Sequence, residues 1–140
     1  MRGIAMNMKE AVTSALVKKY ATIEGRASRS EYWWFTLFYY LGSFLASALD
    51  AGLGWQFGEP NMFANQPGVL DVLFTVAIVV PFVCVTARRL HDVNRSGWWQ
   101  LIPITIIGLI PFIYWMVKKP KDNEEGRENK WGTNPLLDED

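Results

Sequence analysis

The chain has few of the residues that build metal sites and covalent cross-links. Its 140 residues include one cysteine, Cys84, and one histidine, His91. A single cysteine cannot form a disulfide within the chain, and a lone histidine cannot supply the three or four ligands of a protein zinc site. We therefore expect no metal and no cofactor.

Net charge is absent as well, because 14 basic residues balance 14 acidic ones. This balance gives the chain no general electrostatic attraction to nucleic acid, so we expect no nucleic-acid partner. The length is that of a single domain over residues 1–140.

Charged residues make up 20% of the chain, yet three long stretches contain none. A soluble helix needs a polar face, and about 20 apolar residues are enough to cross a bilayer core. The soluble alternative, three fully buried helices, would leave too little polar surface to cover so small a core. The sequence therefore predicts an all-α integral membrane protein, a bundle of three transmembrane helices. They are expected at about residues 32–50, 69–87 and 98–117.

Aromatic residues with a polar edge lie at the ends of these stretches. Trp33 and Trp34 open the first stretch, and Trp98 and Trp99 open the third. Such side chains collect at the depth of lipid headgroups, which supports the membrane interpretation.

The region before the first span predicts two local features. Apolar residues between Met8 and Leu16 fall at helical spacing, which indicates a short N-terminal amphipathic helix on the membrane surface. Ser28 and Glu31 then form the S-x-x-E pattern of a capping box, so the first long helix should begin near Arg29, after a turn at Gly25.

Basic residues predict the orientation. Six precede the first span and none occupies the first loop, so the N-terminus should be cytoplasmic in a multi-pass membrane protein. Pro81 should kink the second span and free the carbonyl of Ala77.

The third stretch leaves two arrangements open. Pro103, Gly108 and Pro111 can kink a single crossing or break the stretch into a re-entrant hairpin. The hairpin would keep all 14 basic residues in the cytoplasm, whereas a single crossing would export the five in the tail. We favour the single kinked span.

The polar tail, residues 118–140, is predicted to be extended or disordered.

Two crossings return the chain to its starting side, so two polar motifs should meet there. The first precedes the first span, and the second is the turn after the second span. We expect one interface to contain Arg26, Arg29, Glu31, Arg88, Arg89, His91, Asp92 and Arg95.

Three motifs resemble a known family. They are GRASRSEYWWF at residues 25–35, ARRLHDVNRSGWW at 87–99, and RENKWGTNP at 127–135. In this order they are similar to the domain of unknown function 805 family, with departures at Arg127, Trp131 and Asn134. The resemblance covers about residues 20–135. It implies a small multi-span protein of the bacterial inner membrane and supplies no activity.

The shared interface admits four functions. In the first hypothesis the arginines serve topology alone, with Arg88 or Arg89 pairing with Glu31 or Asp92 while His91 bonds a backbone group. In the second they bind anionic lipid headgroups or another phosphate, because the planar guanidinium group can donate two hydrogen bonds to phosphate oxygens. An oligomeric transporter or channel component is a third reading, although no charge lies mid-span.

An enzyme is the fourth reading and the least supported. His91 and Asp92 are neighbours in sequence, so on a helix they point about 100° apart. Cys84 lies within an apolar helix, where its thiolate is disfavoured. We therefore predict no enzymatic activity. The interface should serve binding or scaffolding, with the bilayer, anionic headgroups, a second copy or another membrane protein as partner.

Overall fold

A computed structural model describes residues 6–58, 66–123 and 127–137. The chain is mainly helical in these ranges. In chain order the elements are α1 (Met8–Thr13), a π-helical turn (Ser14–Lys18), α2 (Arg29–Leu53), α3 (Val69–Asp92), a 3₁₀ helix (Gly97–Ile104), α4 (Leu109–Val117), and the short antiparallel strands β1 (Glu128–Asn129) and β2 (Gly132–Thr133).

Helix α2 begins where the sequence predicts. The hydroxyl of Ser28 accepts a hydrogen bond from the backbone N–H of Glu31, at 3.2 Å, and Gly25 forms the preceding turn with a φ of +80°. The reciprocal half of the capping box is absent among the described contacts, because the Glu31 carboxylate binds Ser14 and Arg88 instead. The helix ends at Gly54, whose φ of +69° suits a C-terminal glycine.

Helix α3 lies antiparallel to α2. At one end of the pair Glu31 contacts Arg88, and at the other the buried carboxylate of Asp50 accepts from the backbone N–H groups of Leu70 and Asp71. Asp50 therefore caps α3 from the neighbouring helix and satisfies two of the N–H groups that every helix start leaves unpaired.

Pro81 lies inside α3, and the carbonyl of Ala77 is available to another donor, as predicted. Proline cannot donate to the carbonyl four residues earlier, which is that of Ala77. The hydroxyl of Tyr20 donates to this carbonyl at 2.7 Å. The segment after α1 thus supplies the hydrogen bond that the proline removes.

The exterior of the helix pair is apolar. Phe44 is 74% exposed, Val76 64% and Leu73 61%, which in water would be an unusually large apolar surface. By length and composition, Val69–Asp92 is the one helix of the described ranges that could cross a membrane. The predicted count of three spanning helices is therefore not confirmed.

The favoured single kinked crossing over residues 98–117 is wrong, because this stretch folds back on itself. It consists of the 3₁₀ helix and α4, joined by a turn at Thr105 and Gly108. Its two ends meet, with the rings of Trp99 and Trp115 5.4 Å apart. The nine residues of α4 span only about 14 Å, roughly half of a bilayer core.

The tail is ordered where it is described, which contradicts the prediction of disorder. Asn129 pairs with Gly132 in the β1–β2 hairpin, and the Lys121 N–H donates to the Asp92 carbonyl at 2.9 Å. Residues 124–126 and 138–140 lie outside the described residues. A polar composition predicts disorder only when the segment finds no partners, and this tail finds them at the end of α3.

The predicted N-terminal helix is present as α1 and the π-helical turn. Asn7 and Glu10 form a capping box at its start, a signal that sequence inspection overlooked. Its small residues Ala11 and Ala15 are fully buried, so this face packs against the protein.

A close contact between α2 and α3 gives the first testable prediction. A Cβ at Gly42 would overlap the ring of Phe74, which stacks on Tyr39, whereas a Cβ at Gly52 would meet no atom within 4 Å. We expect Gly42→Ala to destabilise the protein by about 1–3 kcal/mol through overpacking. Gly52→Ala, the matched control, should stabilise it by about 0.5–1 kcal/mol because alanine favours helix.

Thermal unfolding in detergent, followed by a fluorogenic maleimide that reacts with the buried Cys84, measures both changes. Equal effects of the two substitutions would contradict this packing.

Candidate functional site

The two polar motifs meet, as predicted, at the C-terminal end of α3. Arg88, Arg89 and Asp92 are completely buried there, and Arg26 is 3% exposed. We call the charged groups that pair at this place the ion cluster. Its members are Arg26, Glu31, Arg88, Arg89, Asp92 and Asp122.

One half of the ion cluster joins α2 to α3. Nη1 of Arg88 donates to Oε1 of Glu31 at 2.8 Å, and the hydroxyl of Ser14 donates to the same oxygen at 3.0 Å. The backbone carbonyl of Arg88 accepts from the N–H of Ala27 at 3.0 Å. The first turn of α2, the π-helical turn and the end of α3 are thereby held together.

The other half centres on the carboxylate of Asp92. Its Oδ1 accepts from both Nε and Nη2 of Arg26, at 2.9 and 2.7 Å, and its Oδ2 accepts from Nη1 of Arg89. Two guanidinium groups from separate parts of the chain thus share one carboxylate. Charge-assisted bonds of this kind are among the strongest hydrogen bonds in proteins.

Arg89 also fastens the end of α4. Its Nε donates to the carbonyl of Met116 at 3.1 Å, and its Nη2 donates to those of Trp115 and Lys118. The last carbonyls of a helix have no partner within the helix and carry partial negative charge. The guanidinium satisfies them, which holds the end of α4 against the end of α3.

The tail completes the ion cluster with residues that sequence reasoning missed. Asp122 lies 2.6 Å from Nη2 of Arg26 as an ion pair, and Asn134 donates to the Asp122 carboxylate at 2.9 Å. Asn129 donates to the backbone carbonyl of His91 at 3.0 Å. The motif at 127–135 was the available signal for the asparagines, but nothing in the local sequence distinguishes Asp122.

His91 lies at the edge of the ion cluster. Its Nδ1 is 3.0 Å from the carbonyl of Gly25, and its ring stacks on Trp131 with the centroids 3.9 Å apart. One ring nitrogen and one ring face are therefore occupied by the protein itself.

Arg29 and Arg95 lie outside the ion cluster and are exposed. The Arg95 guanidinium lies 5.0 Å from the ring centre of Trp115 and 5.8 Å from that of Trp99, so it holds the two ends of the folded-back stretch. Among the described residues, Arg29 bonds the carbonyl of Val117 alone, at 3.5 Å.

The ion cluster is neutral and closed. Three guanidinium groups face three carboxylates, and the arginines among them are buried. Nε and Nη2 of Arg88 have no partner in the described part of the chain. This geometry matches the topological reading, in which Arg88 and Arg89 pair with Glu31 and Asp92. It does not present these arginines to a ligand in solution.

The described ranges also contain no group of three or more His, Cys, Asp or Glu side chains that could hold a metal ion.

Comparison with known proteins places these motifs in a family. The family described as "Protein of unknown function (DUF805)" matches residues 20–133. The inner membrane protein YhaH of Escherichia coli K12 is 36% identical over 125 residues, which are 88% of this chain and 94% of that protein. The inner membrane protein YhaI of the same strain is 31% identical over 86% of this chain and 92% of its own length. No solved structure matches.

The shared carboxylate gives the second prediction. Asp92→Asn keeps the shape of the side chain and removes the charge that neutralises Arg26 and Arg89. Breaking a buried ion pair costs about 3–5 kcal/mol, because the remaining charge stays buried without its partner. We expect a loss of this size in the Cys84 unfolding assay.

Glu128→Gln, on the exposed strand β1, is the control and should change stability by no more than about 0.5 kcal/mol. If Asp92→Asn matched that control, Asp92 would not neutralise the ion cluster.

Proposed function

The chain belongs to the DUF805 family, and from this premise we propose that it is a non-catalytic binding protein of the bacterial inner membrane. In this proposal its cytoplasmic face, assembled around the ion cluster, scaffolds the fold and attracts anionic phospholipids. The relatives that carry the name inner membrane protein support this location.

The observation that carries the proposal is that four other parts of the chain converge on one end of α3. The N-terminal segment, α2, the folded-back stretch and the tail all bond groups between Arg88 and Asp92. If α3 crosses the bilayer, its antiparallel neighbour α2 crosses as well. Both ends of the folded-back stretch then lie on the side of the ion cluster, and so does the tail.

This topology places every basic residue on one side, in accord with the positive-inside rule. We propose two crossings, a re-entrant hairpin at residues 98–117, and both termini in the cytoplasm. Ile104, Ile106 and Ile107 are each more than 80% exposed in the turn of the hairpin, which suits contact with lipid tails.

Exposed cations surround the closed ion cluster and support lipid attraction. Near an anionic membrane surface each basic residue contributes about 1 kcal/mol. The exposed basic residues at this face include Arg29, Arg95, Lys118, Lys119, Lys121, Arg127 and Lys130.

The absence of a catalytic role is also part of the proposal. Both carboxylate oxygens of Asp92 are bonded to arginine, and Nδ1 of His91 faces a backbone carbonyl. The bonded carboxylate of Asp92 is therefore not placed to exchange a proton with a substrate.

The topology is tested by cysteine labelling in a Cys84→Ser background. A membrane-impermeant maleimide should label Phe57→Cys, between α2 and α3, in intact cells. Lys9→Cys and Leu137→Cys, near the two termini, should react only after the inner membrane is permeabilised. Labelling of Leu137→Cys in intact cells would show that residues 98–117 cross the membrane.

Lipid attraction is tested by thermal unfolding with added lipid. A ligand that binds the folded state stabilises it by about 2.7 kcal/mol at a hundred times its dissociation constant. We expect phosphatidylglycerol to raise the unfolding temperature and phosphatidylethanolamine to raise it less. Equal shifts for the two lipids would overturn selective attraction.

A further inference from the structure

A pocket of about 500 Å³ opens beside the first two turns of α2, apart from the ion cluster. The helix forms one wall from Arg29 to Leu37, and Val117, Pro120 and Leu136 form the opposite wall. We propose that this pocket binds the phosphate and the upper acyl chain of an anionic glycerophospholipid. The proposal rests on the function proposed above and gives it a specific site.

The polar end of the pocket carries a guanidinium without an acidic partner. Arg29 makes no ion pair within the described residues, and its one bond is the long contact with the carbonyl of Val117. The other arginines of the same motifs differ, since Arg26, Arg88 and Arg89 are neutralised by carboxylates. The rigid fork of arginine matches two oxygens of a phosphate.

Two serine hydroxyls adjoin this guanidinium. The oxygens of Ser28 and Ser30 lie 3.0 Å apart, and they accept from the N–H groups of Glu31 and Met6 respectively. The pair has two hydroxyl hydrogens, and their mutual bond uses one. The second hydrogen is available to a phosphate oxygen. The start of α2 adds the positive end of a 25-residue helix dipole.

The pocket becomes apolar along the helix. Arg29, Trp33 and Leu37 are four residues apart, so they line one face over about 12 Å. Trp34 lies one turn beyond Ser30 on the same side. In this proposal the charged end of the pocket lies at the depth of the lipid headgroups, and its apolar end faces the membrane interior. A phospholipid has the same arrangement, with a charged phosphate at one end and apolar acyl chains at the other.

The volume favours part of a lipid over a small free anion. Pockets for small organic ligands span about 300–1,000 Å³, and this one lies in that range. Inorganic phosphate would fill little of it and would leave the wall of Trp33, Trp34 and Leu37 unused. The phosphate, the glycerol and the first methylene groups of a chain would contact both ends.

Native mass spectrometry of the full chain with phosphatidylglycerol tests the site. The wild-type protein should carry one discrete lipid, and phosphatidylethanolamine should bind more weakly. Arg29→Gln should weaken the adduct about tenfold or more, the scale expected for losing hydrogen bonds to a charged group. Lys18→Gln, an exposed cation outside the pocket, is the matched control and should leave the adduct unchanged.

Two further measurements distinguish a lipid from free phosphate as the ligand and control for misfolding of the variants. Trp34→Ala should weaken phosphatidylglycerol binding, and excess inorganic phosphate should not displace the lipid; displacement by phosphate would mean a free-anion site. Arg29→Lys keeps the positive charge but loses the planar guanidinium group that can bind two phosphate oxygens. Its affinity for phosphatidylglycerol should therefore lie between that of the wild type and that of Arg29→Gln.

The outcomes distinguish this site from the broader function. An adduct that survives Arg29→Gln would overturn the pocket while leaving lipid attraction intact. Equal losses for Arg29→Gln and Lys18→Gln would show attraction by surface charge alone and would also overturn it. A wild-type protein that carries no lipid would overturn both proposals.

Discussion

The pairing of the buried Asp92 carboxylate with two arginines is the interaction on which the rest of this structure depends. It neutralises Arg26, which comes before α2, and Arg89, which caps the end of α4. Taking such charges out of water costs several kcal/mol per ion, and only close, well-oriented partners offset that cost. The ends of α2 and α3 must therefore stay together, because separating them leaves a buried charge unpaired. The end of α4 joins them because its last carbonyls accept hydrogen bonds from Arg89.

This constraint explains why the third apolar stretch folds back. Arg89 is fixed by Asp92, and its remaining N–H groups are satisfied by the last carbonyls of α4. Arg95 adds a contact to the tryptophans at both ends of the stretch. A single crossing would carry the end of α4 to the far side of the membrane and would deprive Arg89 of these acceptors.

The same constraint divides the arginines between two roles. Those inside the ion cluster are neutral in combination and hold the fold. Arg29 lies one helical turn from Trp33 and lines an amphipathic pocket, and its charge has no acidic partner among the described residues. The arginine proposed to bind an external phosphate is therefore one that no carboxylate of the described residues neutralises.

The sequence alone determined the features that arise from neighbours in the chain. The Ser28 cap, the turn at Gly25 and the carbonyl freed by Pro81 are set by local backbone chemistry. The prediction that Arg26 and Glu31 lie near Arg88 and Asp92 also came from the sequence alone. It follows because two predicted crossings return the chain to the side on which it began, whatever the packing of the helices. Only the tertiary structure decided which charges pair, how residues 98–117 turn, and that the tail is ordered. Those outcomes depend on contacts between residues up to 106 positions apart, such as Arg26 with Gly132, whose geometry no local pattern encodes.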